Sequence, residues 1–400
     1  MLSFAGEPKN TCSPKANLMG LKVLHITRTS TTIQAFFRPL IAAELARGHT
    51  VELAFGNEHS SASDFNVPVH LYPVRRSFSP LALASSVKAL SRILQAGRYN
   101  VIVAHMALVG LIGRAAFALA GKPGRMLYAS HGLPCYPACP KLRRKMSLFL
   151  ERFLRRWTDG MIVLNDYDYR VATKYKLAGE TGTVHLLRSV GINCSAINQR
   201  ASKIDVGHYR RSIGLDANLP VVCYAGRFIK AKGVHLFIRI AQRFIASGKK
   251  ASFVVAGSGP LEHYLERFIA KNKLEDYIKI LGWYDDTIGL LAASDVLCFP
   301  TLYEGAPVIV QEAMASGTAV LSSKVPGPED LVDNNITGVL IEAGDVDGFC
   351  EALTDLLANK EKRLELSLRA LEKSADFDLS VCLEPWLEAI EAVSKSSETF

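Results

Sequence analysis

Apolar, β-branched runs alternate with helical repeats along most of the chain, the pattern of parallel strands wrapped by helices. In the first half the runs predict strands at 22–26, 50–54, 101–104, 125–129 and 160–164, with helices near 33–47, 81–95, 108–120, 141–157 and 167–175. In the second half strands fall at 221–225, 252–256, 278–281, 296–299, 319–322 and 338–341, with helices at 234–247, 261–272, 308–316, 346–358 and 360–373. The expected fold class is α/β, two doubly wound Rossmann-like units in series. The pattern lapses near 195–220, which predicts a first domain over 21–200 and a second over 201–375, with a trailing helix in 376–400 packing back toward the first. Residues 1–20 lack an apolar core of signal-peptide length and read as a disordered extension. The nearly all-apolar stretch 101–121 has about the length a bilayer needs. His105 and Arg114 interrupt it, and its change from β-branched residues to Ala and Leu predicts a buried strand and then a core helix. Two such sheets facing each other bring the carboxyl ends of their strands around one cleft, where open α/β folds bind ligands.

Composition sharpens this picture in one respect. With 49% hydrophobic and 21% charged residues the chain is ordinary globular material, neither disordered nor collagenous. Its charge is uneven: residues 1–200 hold 26 basic and 10 acidic side chains, a net +16, whereas residues 201–400 are at −7. The basic half is expected to face something anionic, whether phosphate, a lipid surface or nucleic acid, unless the excess serves only solubility. No zinc-finger spacing and no RRM aromatic signature accompanies it, so nucleic acid is not expected as a partner. The eight cysteines are scattered over a long chain, which predicts reduced structural thiols in a cytoplasmic protein. Cys135 and Cys139 next to His131 resemble part of a metal site, but no second ligand pair follows, and no metal is expected.

Chemistry is expected in the strand-to-helix loops. After strand 221–225, Gly226-Arg227-Phe228-Ile229-Lys230-Ala231-Lys232-Gly233 sets two cations over a helix start, so that Arg227 and Lys232 can both reach a phosphate. Gly257 and Gly259 imitate a dinucleotide fingerprint whose third glycine is missing; the pair marks close approach to a ligand or to a neighbouring strand. Trp283 stands at the mouth of the next loop, to cover a nucleobase or simply to pack. In Phe299 to Gly317, Glu304 and Gly305 end a loop, Pro307 suits the first turn of a helix, and the amides of Val308 and Ile309 would face a diphosphate. Glu304 and Glu312, with seven residues between them, can accept hydrogen bonds from hydroxyls at two ends of one molecule. A cation loop with a carboxylate pair describes a nucleotide-sugar site. Asp166-Tyr-Asp168 superficially looks like a metal-binding D-x-D, but the helix start expected there favours capping.

These residues resemble the glycosyltransferase family four type of retaining enzymes, which have the GT-B fold. The resemblance runs through the second half on GRFIKAKG, VVAGSGPL, ILGWYDD, LCFPTLYEGAPVIVQEAMASG and VPGPEDLVDNNITGVLIEAGD in the family's order. It implies that Arg227 and Lys232 contact the donor diphosphate, Glu312 the ribose hydroxyls and Glu304 the hydroxyls of the transferred sugar, with Trp283 beside the base. Gly259 and Gly305 join the donor-binding set. In the first half YASHG resembles the family's loop histidine, which makes His131 catalytic with Glu304; His131 would meet a sugar hydroxyl or the departing phosphate. His105, also at a strand end, is expected on the acceptor side. The first loop, His25-Ile26-Thr27-Arg28-Thr29-Ser30-Thr31-Thr32, lacks the glycine pair of many members, so no acceptor contact is carried over to it. Together with YASHG and FLERFLRRWTDGMIVLNDYDY it looks more like the branch that builds bacterial surface polysaccharides and lipid-linked oligosaccharides.

The resemblance implies a retaining transfer of a hexose or N-acetylhexosamine from a UDP-sugar to a lipid-diphosphate-linked or polysaccharide acceptor, with no metal or other cofactor. A nucleotide-sugar hydrolase or epimerase of GT-B fold would use the same donor loops. Residues 141–157 place Leu142, Met146, Phe149, Phe153 and Trp157 at helical spacing among seven Lys and Arg. Such a helix either lies in an anionic membrane interface, at the inner face of the plasma membrane, or packs on the core with a solvated basic face.

Overall fold

The computed structural model describes residues 20–56, 65–74 and 79–395, so the expected extension over 1–20 lies, but for its last residue, outside the described residues, as does Cys12. Two parallel sheets carry the chain. The first holds β1 (Lys22–Ile26), β2 (Thr50–Gly56), β3 (Val69–Tyr72), β4 (Val101–His105), β5 (Arg125–Ala129), β6 (Gly160–Val163) and β7 (Thr183–Leu186) in the order 3-2-1-4-5-6-7. The second holds β8 (Val221–Ala225), β9 (Ser252–Ala256), β10 (Ile278–Gly282), β11 (Val296–Phe299), β12 (Ala319–Lys324) and β13 (Val339–Glu342) in the order 10-9-8-11-12-13. Both are doubly wound, with the chain reversing direction beside its first strand, so each unit opens a crevice at its strand ends. Central strands are buried on both faces and read as unbroken apolar runs, which is why the pattern finds them.

Two strands escape that pattern. β3 and β7 are four-residue edge strands, each with a histidine and only partial burial, so they lack the apolar run that marks a central strand. The lapse expected at 195–220 contains two short helices, Cys194–Ser202 and Val206–Ser212, capped by Asn193 and Asp205. Neither buries a residue fully, and so neither leaves an apolar stripe in the sequence. The expected helix 33–47 is two helices, Ser30–Phe36 and Arg38–Ala46, which meet at Phe37 where Pro39 opens the second.

The apolar stretch 101–121 becomes β4 and the buried helix Ala107–Leu119. Arg114 lies inside this packing, its guanidinium 2.8 Å from Glu151 and 4.0 Å from the centre of the Tyr128 ring. Paired and stacked, the charge is tolerated in the interior. Among the described residues no helix is long and apolar enough to cross a membrane. The seven described cysteines are free thiols, with Cys223 and Cys298 fully buried in β8 and β11.

The last helix, Leu379–Lys395, leaves the second unit and lies on the first. Its Trp386, Leu387, Ala389, Ile390 and Val393 join Val23, Val51, Val103 and Leu127 in one core. The chain thus passes between the units twice, and the two passages pair: Ile192 N–H donates to Phe377 O at 2.9 Å, and Leu379 N–H to Ile192 O at 2.9 Å.

Candidate active site

Two cavities lie where the sheets face each other. One, of about 700 Å³, is lined by Gly257, Ser258, Trp283, Tyr284 and Glu312; the other, of about 590 Å³, by Arg28, Met106, His131, Lys232, Glu304 and Gly305. Their common wall is Phe36, Ala225, Gly226, Arg227, Val308 and Ile309. The wall therefore combines a cation, a glycine that brings backbone close, and the first turn of the helix Val308–Ala315, whose positive dipole end lies there.

The loop after β8 is shaped by Tyr224, whose hydroxyl donates to Arg227 O at 3.3 Å and Lys232 O at 3.0 Å. At its end Gly233 adopts φ +72°, and a Cβ there would sit 1.8 Å from Pro300 O, so only glycine lets this loop lie against the one that follows β11. That contact brings Lys232 to Glu304. The two side chains, expected at different parts of a donor, form an ion pair with each other, and Thr301 Oγ donates to the second carboxylate oxygen at 3.3 Å. Glu304 is nearly buried, so its charge is compensated by this pair.

Glu312 lies in the helix behind the wall and faces the first cavity without an ion pair among the described residues. Burial pushes its carboxyl up to about 7. Trp283 is 76% exposed at the mouth of that cavity, with its indole N–H donating to Asp285 at 2.7 Å. It packs on nothing that would make it a core residue.

Gly259 does not line either cavity. A Cβ there would meet the backbone of Phe228 at 2.9 Å, so this glycine serves the close approach of two loops of the protein; Gly257 and Ser258 are the residues of that turn that reach the cavity. This corrects the expectation that Gly259 touches the donor. His105 is corrected as well: it is 0% exposed and lines no described cavity, because His131 stands between it and the cleft. His131 itself lines the second cavity, held at φ +47° just after β5, with Gly132 following at φ +124°. Trp386 stacks on its ring with centroids 5.9 Å apart. Burial lowers the imidazole to about 4, so it is neutral at physiological pH.

Gly305 meets this loop directly; a Cβ on it would be 2.3 Å from His131 O. The first unit also grips the Glu304–Gly305 turn through Asn165, whose amide donates to Gly305 O at 3.1 Å. Asn165, not an aspartate, caps the helix Asp166–Lys174, accepting from Asp168 N–H at 2.8 Å. Asp168 instead accepts from Leu133 N–H at 2.9 Å and from the Tyr303 hydroxyl at 3.1 Å, and burial pushes it up to about 7. Asp166 pairs with Arg188 at 3.0 Å. Asp166 N–H and Arg188 both reach Asp330 of the second unit, at 2.8 and 2.9 Å, so both aspartates help to join the units, a role that local spacing does not carry because it needs residues from both halves of the chain.

A third hollow, of about 1080 Å³, lies between the helices Ala107–Leu119 and Lys141–Leu154, and is lined by Leu108, Leu111, Pro134, Leu142, Met146 and Phe149. Leu142, Met146 and Phe149 are 72%, 64% and 73% exposed, so the apolar stripe of this helix faces outward instead of onto the core. Leu108 also lines the second cavity, so the hollow adjoins the cleft at that side chain.

A family model described as glycosyl transferases group 1 matches residues 205–373, and one described as glycosyl transferase 4-like domain matches 31–175. A relative in Escherichia coli, UDP-Gal:alpha-D-GlcNAc-diphosphoundecaprenol alpha-1,3-galactosyltransferase, is 29% identical over 289 residues, covering 71% of this chain and 73% of its own. The lipopolysaccharide core biosynthesis glycosyltransferase LpsE of Rhizobium meliloti is 28% identical over 163 residues, 41% of this chain and 47% of its own. Among solved structures, Anabaena HepE in complex with UDP and glucose superposes with a TM-score of 0.76 at 18% identity, covering 93% of this chain and 100% of that one. Sucrose-phosphate synthase from Thermosynechococcus elongatus gives 0.77 at 20% identity, over 94% and 100%. The fold is that of these enzymes, two Rossmann-like domains facing a cleft, and the two family models between them take in both units. The chain belongs to the family-four type of glycosyltransferases with the GT-B fold.

Proposed function

We propose that the enzyme moves a hexose or N-acetylhexosamine from a UDP-sugar, with retention of anomeric configuration, to a lipid-diphosphate-linked or polysaccharide acceptor in cell-surface glycan synthesis. The observation that carries this reading is the wall common to the two cavities. A diphosphate lying on Arg227 and on the amides of Val308 and Ile309 would send its nucleoside toward Glu312 and Trp283, and its sugar toward Glu304 and His131. Glu312 then accepts from the ribose hydroxyls and Glu304 from those of the sugar. As the diphosphate arrives, Lys232 exchanges its partner Glu304 for phosphate and frees the carboxylate for the sugar. Fixed positive charge at the leaving group supplies most of the acceleration, and turnover is expected to persist in EDTA. The solved neighbour with UDP and glucose bound, and the relative named for a diphosphoundecaprenol acceptor, agree with the donor and acceptor classes.

The outward apolar stripe of Lys141–Leu154, set among Lys and Arg, supports a peripheral position on an anionic membrane at the cytoplasmic face, with the lipid of the acceptor along the hollow that ends at Leu108. The test is a donor screen by mass spectrometry with a polyprenyl-diphosphate glycan as acceptor. The expected product is the acceptor heavier by one hexose or N-acetylhexosamine, with the donor stable when the acceptor is withheld. Glu304→Gln should abolish transfer in a folded protein. Near-normal turnover of that variant, or consumption of the donor alone, would overturn the assignment.

A further inference from the structure

Three histidines stand at the carboxyl ends of adjacent strands: His25 in β1, His105 closing β4 and His131 just after β5. They join in one chain of hydrogen bonds. Glu44 Oε2 lies 2.8 Å from His25 Nε2, His25 Nδ1 lies 3.0 Å from His105 Nε2, and His105 Nδ1 lies 3.1 Å from His131 Nε2. Glu44, His25 and His105 are sealed from solvent, and Phe37 and Trp386 close over the rings. Among the described residues Glu44 Oε1 has no hydrogen-bond partner. A buried carboxylate oxygen left so is costly, and it lies at the inner end of a chain whose outer end is the cleft.

With Glu44 as the acceptor and all three rings neutral, the bonds run one way: His25 donates from Nε2, its Nδ1 accepts from Nε2–H of His105, and Nδ1 of His105 accepts from Nε2–H of His131. Nδ1 of His131, on the other side of the ring, is left bare. Burial disfavours a charged imidazole at His105 and at His131, which removes imidazolium as the resting state.

We propose that Glu44, His25 and His105 form a buried relay that presents Nδ1 of His131 to the cleft as a proton acceptor and carries an accepted proton inward to Glu44. The step balances without a cationic ring. The acceptor hydroxyl loses its proton to His131 Nδ1 while its oxygen bonds the anomeric carbon, and the electron pair of the breaking C–O bond leaves with the nucleoside diphosphate. The Nε2 protons of His131, His105 and His25 each move one link inward, the last onto Glu44. All bonds in the chain are then reversed, and the proton returns by the same path when products leave. His131 is the catalytic residue; the other three are positioning residues that act through it. The proposal rests on the reading of this cleft as a glycosyl-transfer site.

The test uses the full chain. Long-range ¹H–¹⁵N spectra of histidine-labelled enzyme should show His131, assigned by the signal lost in His131→Gln, as the neutral Nε2–H tautomer with bare Nδ1 near pH 7.5. Glu44→Gln can still accept from His25 through its amide oxygen but cannot take up a proton. It should keep that tautomer and the donor affinity while kcat falls about a hundredfold, the scale of a lost proton acceptor, with the KM for the acceptor within about threefold. Glu44→Met should mix the tautomers of His131 as well. It should melt no lower than wild type, since a buried carboxylate with a bare oxygen is replaced by an apolar chain of similar length. A kcat for Glu44→Gln within threefold of wild type, or a mixed or Nδ1–H tautomer of His131 in the wild-type enzyme, overturns the relay. Failure of wild type to transfer any sugar overturns the reading of the cleft instead, and leaves the spectra to decide the relay.

Discussion

Glu312 is a carboxylate that burial has made reluctant to ionise, and its titration can be followed. With its carboxyl raised to about 7, the stability linked to its proton is fully present below the usual carboxylate range and is lost as pH rises through about 7. Glu312→Gln should therefore leave stability unchanged near pH 4 and raise it at pH 8 by up to on the order of 3 kcal/mol, seen as a higher melting temperature at pH 8 only. A donor whose hydroxyls donate to the ionised form should also expel this proton. Calorimetry at pH 6.5 in buffers of different ionisation enthalpy should detect up to about one proton released per UDP-sugar bound, and none with the variant. Positions of such residues were legible because each ends a strand or opens a helix in the sequence. Their partners were not: Lys232 meets Glu304, and His105 retreats behind His131, only because β8 lies beside β11 and β4 beside β5 in the sheets. Single-chain spacing carries no signal for such meetings.

Elements repeat the same division. Central strands and long amphipathic helices followed from periodicity because burial imposes it, while β3, β7 and the helices Cys194–Ser202 and Val206–Ser212 sit at edges where burial is partial. Loops around the site depend on contacts more than on pattern. Gly233→Ala should force the loop after β8 away from Pro300 and cost at least about 2 kcal/mol, through both the positive φ and the backbone clash. Denaturant unfolding would measure the loss, and UDP affinity should fall with it because Lys232 shifts. Gly305→Ala should act on the opposite side of the cleft. By pushing the turn off the His131 carbonyl it should reduce transfer more than tenfold, about 1.4 kcal/mol or more, while UDP binding in the other cavity stays within a few-fold.

At the scale of the whole molecule, the surplus of positive charge in the first half coincides with the helix whose apolar stripe faces outward. The sequence alone left that helix either on the core or on a membrane; the exposure of Leu142, Met146 and Phe149 rules out core packing for those three. Replacing all three with Ser should abolish flotation with anionic liposomes and leave UDP binding unchanged by calorimetry. Wild-type flotation should weaken as salt is raised, since exposed charges are screened over about 10 Å at 0.1 M.

The helix Leu379–Lys395 bears on how the enzyme comes into being. The ribosome finishes the second unit before it supplies Trp386, Ile390 and Val393 to the core of the first, so the part of the protein made earliest is the last to be completed. A nascent chain halted near residue 370 carries both sheets, but has an open apolar face over β1, β4 and β5, next to the buried histidines. Completion of the first core, and with it the wall behind His131, thus waits on a helix that is synthesised after both sheets.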